Sequence, residues 1–206
     1  MISGIARVRC PGCDREQECK LIQSVNAETD AEAKAQLLAG ELNVLVCACG
    51  RRTQLAATVL YHDPKAAFWC QVCPGGDEAM AQGEAAFRAS GTGGTQRLVP
   101  SLNALVEKVK LLEAGLVDWA IEMNKVLLLA SRGGADLERV LLFDAIDGDH
   151  VRWVLFADDG PRAMASPRAA YARLATRTVS APPASELRID RAWAMDAVRQ
   201  MIAAGN

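Results

Sequence analysis

Two close pairs of cysteines lie within the first fifty residues of the chain. Cys10 and Cys13 form a C-x-x-C turn in "RCPGCD", and Cys47 and Cys49 follow in "VCACGR". Zinc takes four nitrogen or sulfur ligands in a tetrahedron, so two thiolates from one tight turn supply half a site and a second turn completes it. The pattern therefore predicts a zinc ion bound by these four cysteines.

The second of these turns is one residue shorter than a C-x-x-C turn. Residues i and i+2 of an extended strand lie roughly 6.5 to 7 Å apart at Cα, whereas two thiolates on one zinc lie about 3.8 Å apart. Cys47 and Cys49 can therefore both bind only if the chain bends at Ala48. A third pair, Cys70 and Cys73 in "WCQVCPG", has ideal spacing and remains an alternative second half of the site.

Local signals place both turns between strands. The residue after the second cysteine of such a turn often needs positive φ, which Gly50 adopts readily and Asp14 tolerates. Thr29 and Glu32 match a T-x-x-E capping box, and Gly40 fits a helix stop. The predicted elements are strands at Ile5–Val8, Glu16–Val25, Leu42–Val46 and Gln54–Tyr61, and a helix at Asp30–Ala39.

The chain is long enough for two small domains, and its composition changes near residue 74. We predict an α+β protein: a zinc-ribbon-like β unit with a helical insert at 1–73, a Gly-rich linker or loop at 74–99, and a C-terminal α+β module at 100–206. A weak helix at Glu78–Ser90 is an alternative inside the linker.

The predicted C-terminal module begins with a pair of helices. Ser101 is a plausible N-cap for the first, Gly115 can end it, and Asp118 can cap the second. Asp147-Gly148 predicts a hairpin between strands at Arg139–Ile146 and His150–Phe156. Further helices are predicted at Pro167–Ala175 and from Asp190. The apolar faces of the first two helices lead us to expect that they pack together, with a homodimer as a further expectation.

Charge and hydropathy favour some classes of protein over others. The formal net charge is −2, and residues 1–70 contain eight lysines and arginines against eight aspartates and glutamates, which disfavours a nucleic-acid binder. The start, "MISGIARVRCPGC", has no apolar core of a signal peptide, and apolar runs such as Val126–Ala130 fall far short of the ~18 residues of a membrane span. We expect a cytoplasmic protein without membrane association, where paired cysteines indicate metal or redox chemistry.

Other residues invite functional hypotheses, each with a plainer interpretation. Arg51 and Arg52 could contact phosphate in a zinc-ribbon nucleic-acid binder, but a charged pair after a ribbon turn is usually solvated. His62 could replace Cys47 as a ligand, although "YHDPK" is more typical of a turn at Asp63-Pro64. Cys19 is most simply a small buried hydrophobe. Aspartates around Asp144–Asp159 do not match a calcium-loop spacing and fit hairpin turns.

The sequence also resembles a known family. "RCPGC", "AQLLAGELNVLVCACG", "VLYHDPKAAFWC" and "LNALVEKVKLLEAGLVDWAIEMNKVLLL" resemble segments of the CpXC domain family, in the family's order, over roughly residues 5–130. The resemblance implies a zinc-ribbon-like fold. It maps the family's cysteines onto four positions, with the second motif shortened and without its proline: Cys10, Cys13, Cys47 and Cys49.

We therefore expect a non-enzymatic protein with structural Zn²⁺, acting as a binding or adaptor module for an unidentified protein partner. The chain has no P-loop, no G-x-S-x-G and no H-E-x-x-H motif. A thiol-redox enzyme is a weaker alternative, because that chemistry favours a cysteine at a helix N-terminus and strands flank both turns here.

Overall fold

The computed structural model describes residues 1–133, 137–177, 181–183 and 185–204. Helices and strands are both abundant and form several separate sheets, so the predicted α+β class is confirmed. The chain divides into two compact units, Met1–Val106 and Glu107–Asn206. The division falls within helix α3, Leu102–Glu113.

The first unit contains two separate hairpins. Strands β1 (Ser3–Arg9) and β2 (Glu16–Ile22) pair antiparallel, and so do β4 (Val44–Val46) and β5 (Arg52–Gln54). Each predicted cysteine turn connects the two strands of one hairpin, as the sequence predicts. The predicted long strands Glu16–Val25 and Gln54–Tyr61 are each divided, because the chain leaves its hairpin partner and continues into a different sheet.

That second sheet is mixed and four-stranded, in the order β3-β6-β7-β8. Parallel neighbours need a crossover connection: helix α1 and the β4–β5 hairpin lie in the connection from β3 to β6, and helix α2 connects β7 to β8. These elements have the following bounds: β3 Ser24–Asn26, α1 Ala31–Leu38, β6 Val59–Asp63, β7 Phe68–Val72, α2 Gly76–Ser90 and β8 Thr95–Val99.

The segment at 74–99, predicted as a Gly-rich linker or loop, contains α2 and β8 and belongs to the first unit, so the linker interpretation is wrong. The alternative of a helix at Glu78–Ser90 inside this segment is confirmed by α2. Its glycines have a packing role that composition does not reveal: a Cβ at Gly83 would lie 2.8 Å from the Cys73 sulfur, so the glycine allows α2 to approach the sheet closely. The predicted capping box is also wrong, because α1 has Asp30 at its N-cap and no side-chain cap hydrogen bond. Gly40, with φ +72°, follows the helix as predicted.

The second unit packs helices against an antiparallel sheet of order β11-β10-β9. The hairpin predicted at Asp147-Gly148 is confirmed, while the third strand was not predicted. Apolar side chains from α4, the sheet and the last two helices form one core. The elements are α4 Asp118–Ser131, β9 Val140–Asp147, β10 His150–Ala157, β11 Gly160–Pro167, α5 Arg168–Ala175 and α6 Arg191–Ala204.

Helix α4 is the centre of this core. Its residues from Trp119 to Val126 are all buried, and it packs against both α5 and α6. The apolar face of α4, which was part of the reason to expect a homodimer, is therefore covered within the unit. Association of two copies stays a prediction. Across the described ranges, every helix is too short or too polar to cross a lipid bilayer.

Candidate metal centre

The first cysteine turn is closed by its own backbone. The Cys10 N–H donates to the Arg15 carbonyl at 2.9 Å, and the Asp14 N–H donates back to the Cys10 carbonyl at 2.9 Å. Asp14 has φ +56°, as predicted for the residue after Cys13. These bonds turn the chain so that both thiols of the pair lie on one side of the hairpin.

The short second turn bends at Ala48. The Gly50 N–H donates to the Cys47 carbonyl at 2.9 Å, which is an i to i+3 turn, and the Cys47 N–H donates to the Arg51 carbonyl at 2.9 Å. Gly50 takes the left-handed conformation, φ +85°, in which a residue with a side chain would be strained. The bend that the sequence required is therefore present, and one missing residue does not separate the thiols.

The two turns bring the four sulfur atoms together. Sγ of Cys10 lies 3.7 Å from Sγ of Cys49, and Sγ of Cys13 lies 3.5 Å from Sγ of Cys47. All four sulfur atoms lie within 4.8 Å of one another. Tetrahedral thiolates on one ion are about 3.8 Å apart, so this cluster is close enough together to hold a metal ion. Cys10 and Cys47 are buried, and Cys13 and Cys49 are exposed.

Backbone dipoles favour a thiolate at Cys10. The Gly12 N–H donates to the Cys10 sulfur at 3.4 Å, and this bond, helped by the Cys47 thiol and opposed by burial, lowers the pKa of Cys10 to about 7. At Cys13 the Arg15 backbone lowers the pKa, but the thiols of Cys47 and Cys49 outweigh it and raise the pKa to about 11. Thiolates this close together repel one another, so the four thiols do not all ionise without a cation. A bound cation would neutralise this repulsion and favour the thiolates.

Two contacts that sequence reasoning missed fix the turns relative to each other. Buried Asn43 hydrogen-bonds the backbone of Ile22 through both ends of its amide, which joins the end of β2 to the start of β4. A Cβ on Gly12 would lie 2.8 Å from Cδ of Arg51, so the arginine stem covers the first turn. The sequence offers one indication of the role of Asn43: asparagine tolerates the left-handed backbone conformation, which Asn43 adopts here with φ +57°.

The other sequence candidates lie outside the cluster. Cys70 and Cys73 are buried at β7 and its end, and Cys19 is half-buried on β2. The ring of His62 stacks on Trp69, with centroids 3.4 Å apart. Among the described residues, which include every cysteine of the chain, only one group of metal-ligand type converges on a single point, and it consists of Cys10, Cys13, Cys47 and Cys49.

The predicted phosphate-binding arginines have structural partners. Arg52 pairs with Glu41, and Arg51 packs over the first turn as described above. In the acidic group, Asp144 pairs with Arg152 at 2.6 Å. These contacts account for Arg51, Arg52 and Asp144 without a bound phosphate or cation.

Fold and site together define an α+β protein whose paired cysteine turns, carried on two hairpins, form a cluster of four thiols. The family model of the CpXC protein matches residues 8–125, more than half of the chain, and the protein therefore belongs to the CpXC family. No match was found among curated proteins or among solved structures.

Proposed function

We propose that this protein is a non-enzymatic binding or adaptor module in which the four-cysteine cluster holds a structural zinc ion. The observation that carries the proposal is the convergence of four thiols from two hairpins, with all four sulfur atoms within 4.8 Å of one another. Four sulfur ligands in a tetrahedron suit zinc, with iron as the usual competitor at such sites. Cys10, Cys13, Cys47 and Cys49 are the proposed ligands.

The hairpins themselves support a structural role for the metal. β1 has no fully buried residue, and its side chains alternate between exposed and half-buried. β4 and β5 are three residues long and bury only Leu45. Hairpins with so little apolar burial are marginal alone, and a metal cross-link is a common substitute for a core.

The ligand count supports a role without catalysis. Catalytic zinc sites keep an open position for water or substrate, whereas four protein ligands fill the coordination shell. A redox role for the first turn has less support, because Cys10 lies between β1 and β2 and not at a helix N-terminus. The function proposed is therefore binding, with the metal holding the binding surface in shape.

Charge supports a protein partner over nucleic acid. On the first hairpin, Arg7 pairs with Glu18 and Arg9 with Glu16, so both strand arginines face carboxylates. A surface that binds phosphates presents unpaired cations in excess. The nucleic-acid alternative predicts affinity that falls steeply with salt, and absence of binding to DNA and RNA at low salt would remove it.

Metal analysis of the purified protein tests the zinc proposal. We expect about one zinc per chain in the wild type, and loss of the metal in Cys13→Ser and in Cys47→Ser. Cys19→Ser is the matched control: it removes a cysteine from the same hairpin as Cys13 but from outside the cluster, and should retain the metal.

Two results would contradict the proposal. One is a metal-free wild type whose first unit still unfolds cooperatively. The other is zinc that survives Cys47→Ser and is lost in Cys70→Ser, which would mean that the third cysteine pair supplies ligands.

A further inference from the structure

A pocket of about 330 Å³ opens in the second unit, at α4, the end of β11, α5 and α6. Its walls are mostly apolar: Leu128 comes from α4, Leu174 from α5 and Met201 from α6. It takes no part in the thiol cluster, which belongs to the first unit. Its volume lies at the small end of the range for ligand pockets.

The pocket contains a buried polar group that its own protein leaves without a partner. The Asn124 side chain lines it, the residue is only 4% exposed, and its Nδ2 atom is fully buried with no hydrogen-bond partner among the described residues. Buried amide groups in proteins almost always have partners, and an exception needs an explanation, such as a bound molecule or ion. Asn124 lies on α4, whose residues from Trp119 to Val126 are all buried, and an unpaired amide in such a place costs free energy.

A second polar group lines the pocket beside its apolar walls. Ser166 is 5% exposed, and its hydroxyl oxygen accepts the Trp153 indole N–H at 2.9 Å. A serine hydroxyl that accepts one bond still has its own hydrogen to donate. Trp153 thus reports on the pocket, because its N–H touches a lining residue.

Two cations complete the lining. Arg173 and Arg177 are exposed, and their guanidinium groups form no ion pair with any described residue. The described residues that line the pocket include no aspartate or glutamate. Amide nitrogen, hydroxyl and guanidinium are all donors, so the polar lining complements an acceptor that carries negative charge.

We propose that this pocket binds a small organic anion, a monocarboxylate with a short apolar tail. The arginines and the Asn124 amide would hold the carboxylate, and guanidinium and carboxylate match in planar, bidentate geometry. Leucine and methionine side chains would cover the tail. At about 30 Å³ for each water-sized atom, the volume holds roughly eleven non-hydrogen atoms, and octanoate, with about ten, fits within it.

The test titrates octanoate into the full chain and follows the indole N–H signals by ¹H–¹⁵N NMR, with affinity from calorimetry. We expect saturable binding that shifts the Trp153 signal. Arg173→Gln with Arg177→Gln should weaken binding about tenfold or more, the usual effect of losing a charged hydrogen bond. Arg168→Gln is the matched control: it removes an exposed arginine from the same helix but outside the pocket lining.

Further probes separate the carboxylate proposal from its rivals. Octanol should bind at least tenfold more weakly than octanoate; equal binding would mean an apolar cavity without anion recognition and would overturn the proposal. Tighter binding of octyl phosphate than of octanoate would overturn the carboxylate proposal and indicate a phosphate ligand. Asn124→Leu, with folding checked by circular dichroism, should weaken octanoate binding, and unchanged affinity would overturn the proposal, which rests on the unpartnered Asn124 amide. Absence of any shift at millimolar octanoate would refute the proposal while leaving the zinc proposal untouched.

Discussion

The side-chain amide of Asn43 hydrogen-bonds both the N–H and the carbonyl of Ile22, as the backbone of a neighbouring strand would. Its Oδ1 accepts the Ile22 N–H at 2.8 Å, and its Nδ2 donates to the Ile22 carbonyl at 2.9 Å. Ile22 ends β2, and Asn43 immediately precedes β4. One buried side chain therefore links the two hairpins that supply the cysteine turns.

We expect Asn43→Ala to destabilise the first unit by about 2–4 kcal/mol, because it leaves two buried backbone groups without partners. Zinc affinity should fall as well, since the two halves of the site are no longer held together. Urea unfolding and zinc competition with a chromogenic chelator measure these effects. Asn43→Gly relieves the positive φ but also loses both bonds, so it should be more stable than Asn43→Ala and less stable than the wild type. Wild-type stability of Asn43→Ala would show that the hydrogen bonds contribute nothing.

Removal of the metal should loosen the hairpins before other parts of the first unit. Metal-binding energy is folding energy in a site of this kind, whereas the β3-β6-β7-β8 sheet has buried apolar residues of its own, such as Val59 and Phe68. Hydrogen exchange with and without a strong chelator is the measurement. Amides of β1, β2, β4 and β5 should lose protection; uniform exchange in both states would contradict the prediction.

Gly94→Ala should be among the most damaging glycine substitutions. Gly94 has φ +95°, and a Cβ there would lie 2.1 Å from the Ala67 carbonyl oxygen, which also accepts the Thr95 N–H. We expect a loss on the order of 3 kcal/mol, from backbone strain plus the clash. Gly93→Ala is the control: nothing lies within 4 Å of its Cβ, and its effect should stay within about 0.5 kcal/mol. Equal thermal shifts for the two variants would contradict the close approach.

Lys125 is the central cation of a buried charge network in the second unit. Its Nζ lies 2.7 Å from a Glu107 oxygen and 2.9 Å from a Glu122 oxygen. Burial opposes its charge, but the two carboxylates prevail and raise the pKa of Lys125. The lysine is therefore charged at neutral pH, and the network depends on it.

Lys125→Met should cost about 3–5 kcal/mol, because it leaves the buried Glu107 carboxylate without Lys125, its cation partner, while Glu122 keeps only Lys108 at 3.7 Å. Adding Glu107→Gln should recover part of that loss. Lys110→Met is the surface control: Lys110 is 32% exposed and pairs with Asp144 at 3.3 Å, so its loss should cost at most about 1 kcal/mol. Denaturant unfolding of the three variants gives the values, and equal costs for the two lysines would show that burial has no effect.

Asp144 supplies a pH dependence with a defined sign. The Arg152 guanidinium and the Lys110 ammonium lower the pKa of Asp144 below its ordinary value of 3.8. The ionised carboxylate therefore stabilises the fold above pH 3.8, and this contribution disappears as the pH falls through the folded-state pKa. Asp144→Asn should cost up to about 1 kcal/mol at pH 7. Its stability should converge with that of the wild type toward pH 2 in thermal melts, and a constant difference across that range would contradict the assignment.

The features of this protein that the sequence determined are local. Cysteine spacing predicted the two turns, and the positive φ of Asp14 and Gly50 followed from what those turns require. The Asp147-Gly148 hairpin and the Ser101 cap, whose Oγ accepts the Ala104 N–H, were readable for the same reason. Each depends on a few adjacent residues whose backbone preferences leave little choice.

Tertiary packing decided the features that depend on residues far apart in the chain. The segment at 74–99 is rich in glycine, and its composition resembles a loop, but it forms helix α2, and Gly83 lets that helix lie close to Cys73. Whether "CACG" could complete the cluster depended on the bend at Ala48 and on Asn43, whose partner lies 21 residues away. Lys125 and Asn124 looked like ordinary polar residues of a helix. Their burial exists only once distant elements surround α4, and short-range patterns contain no information about such contacts.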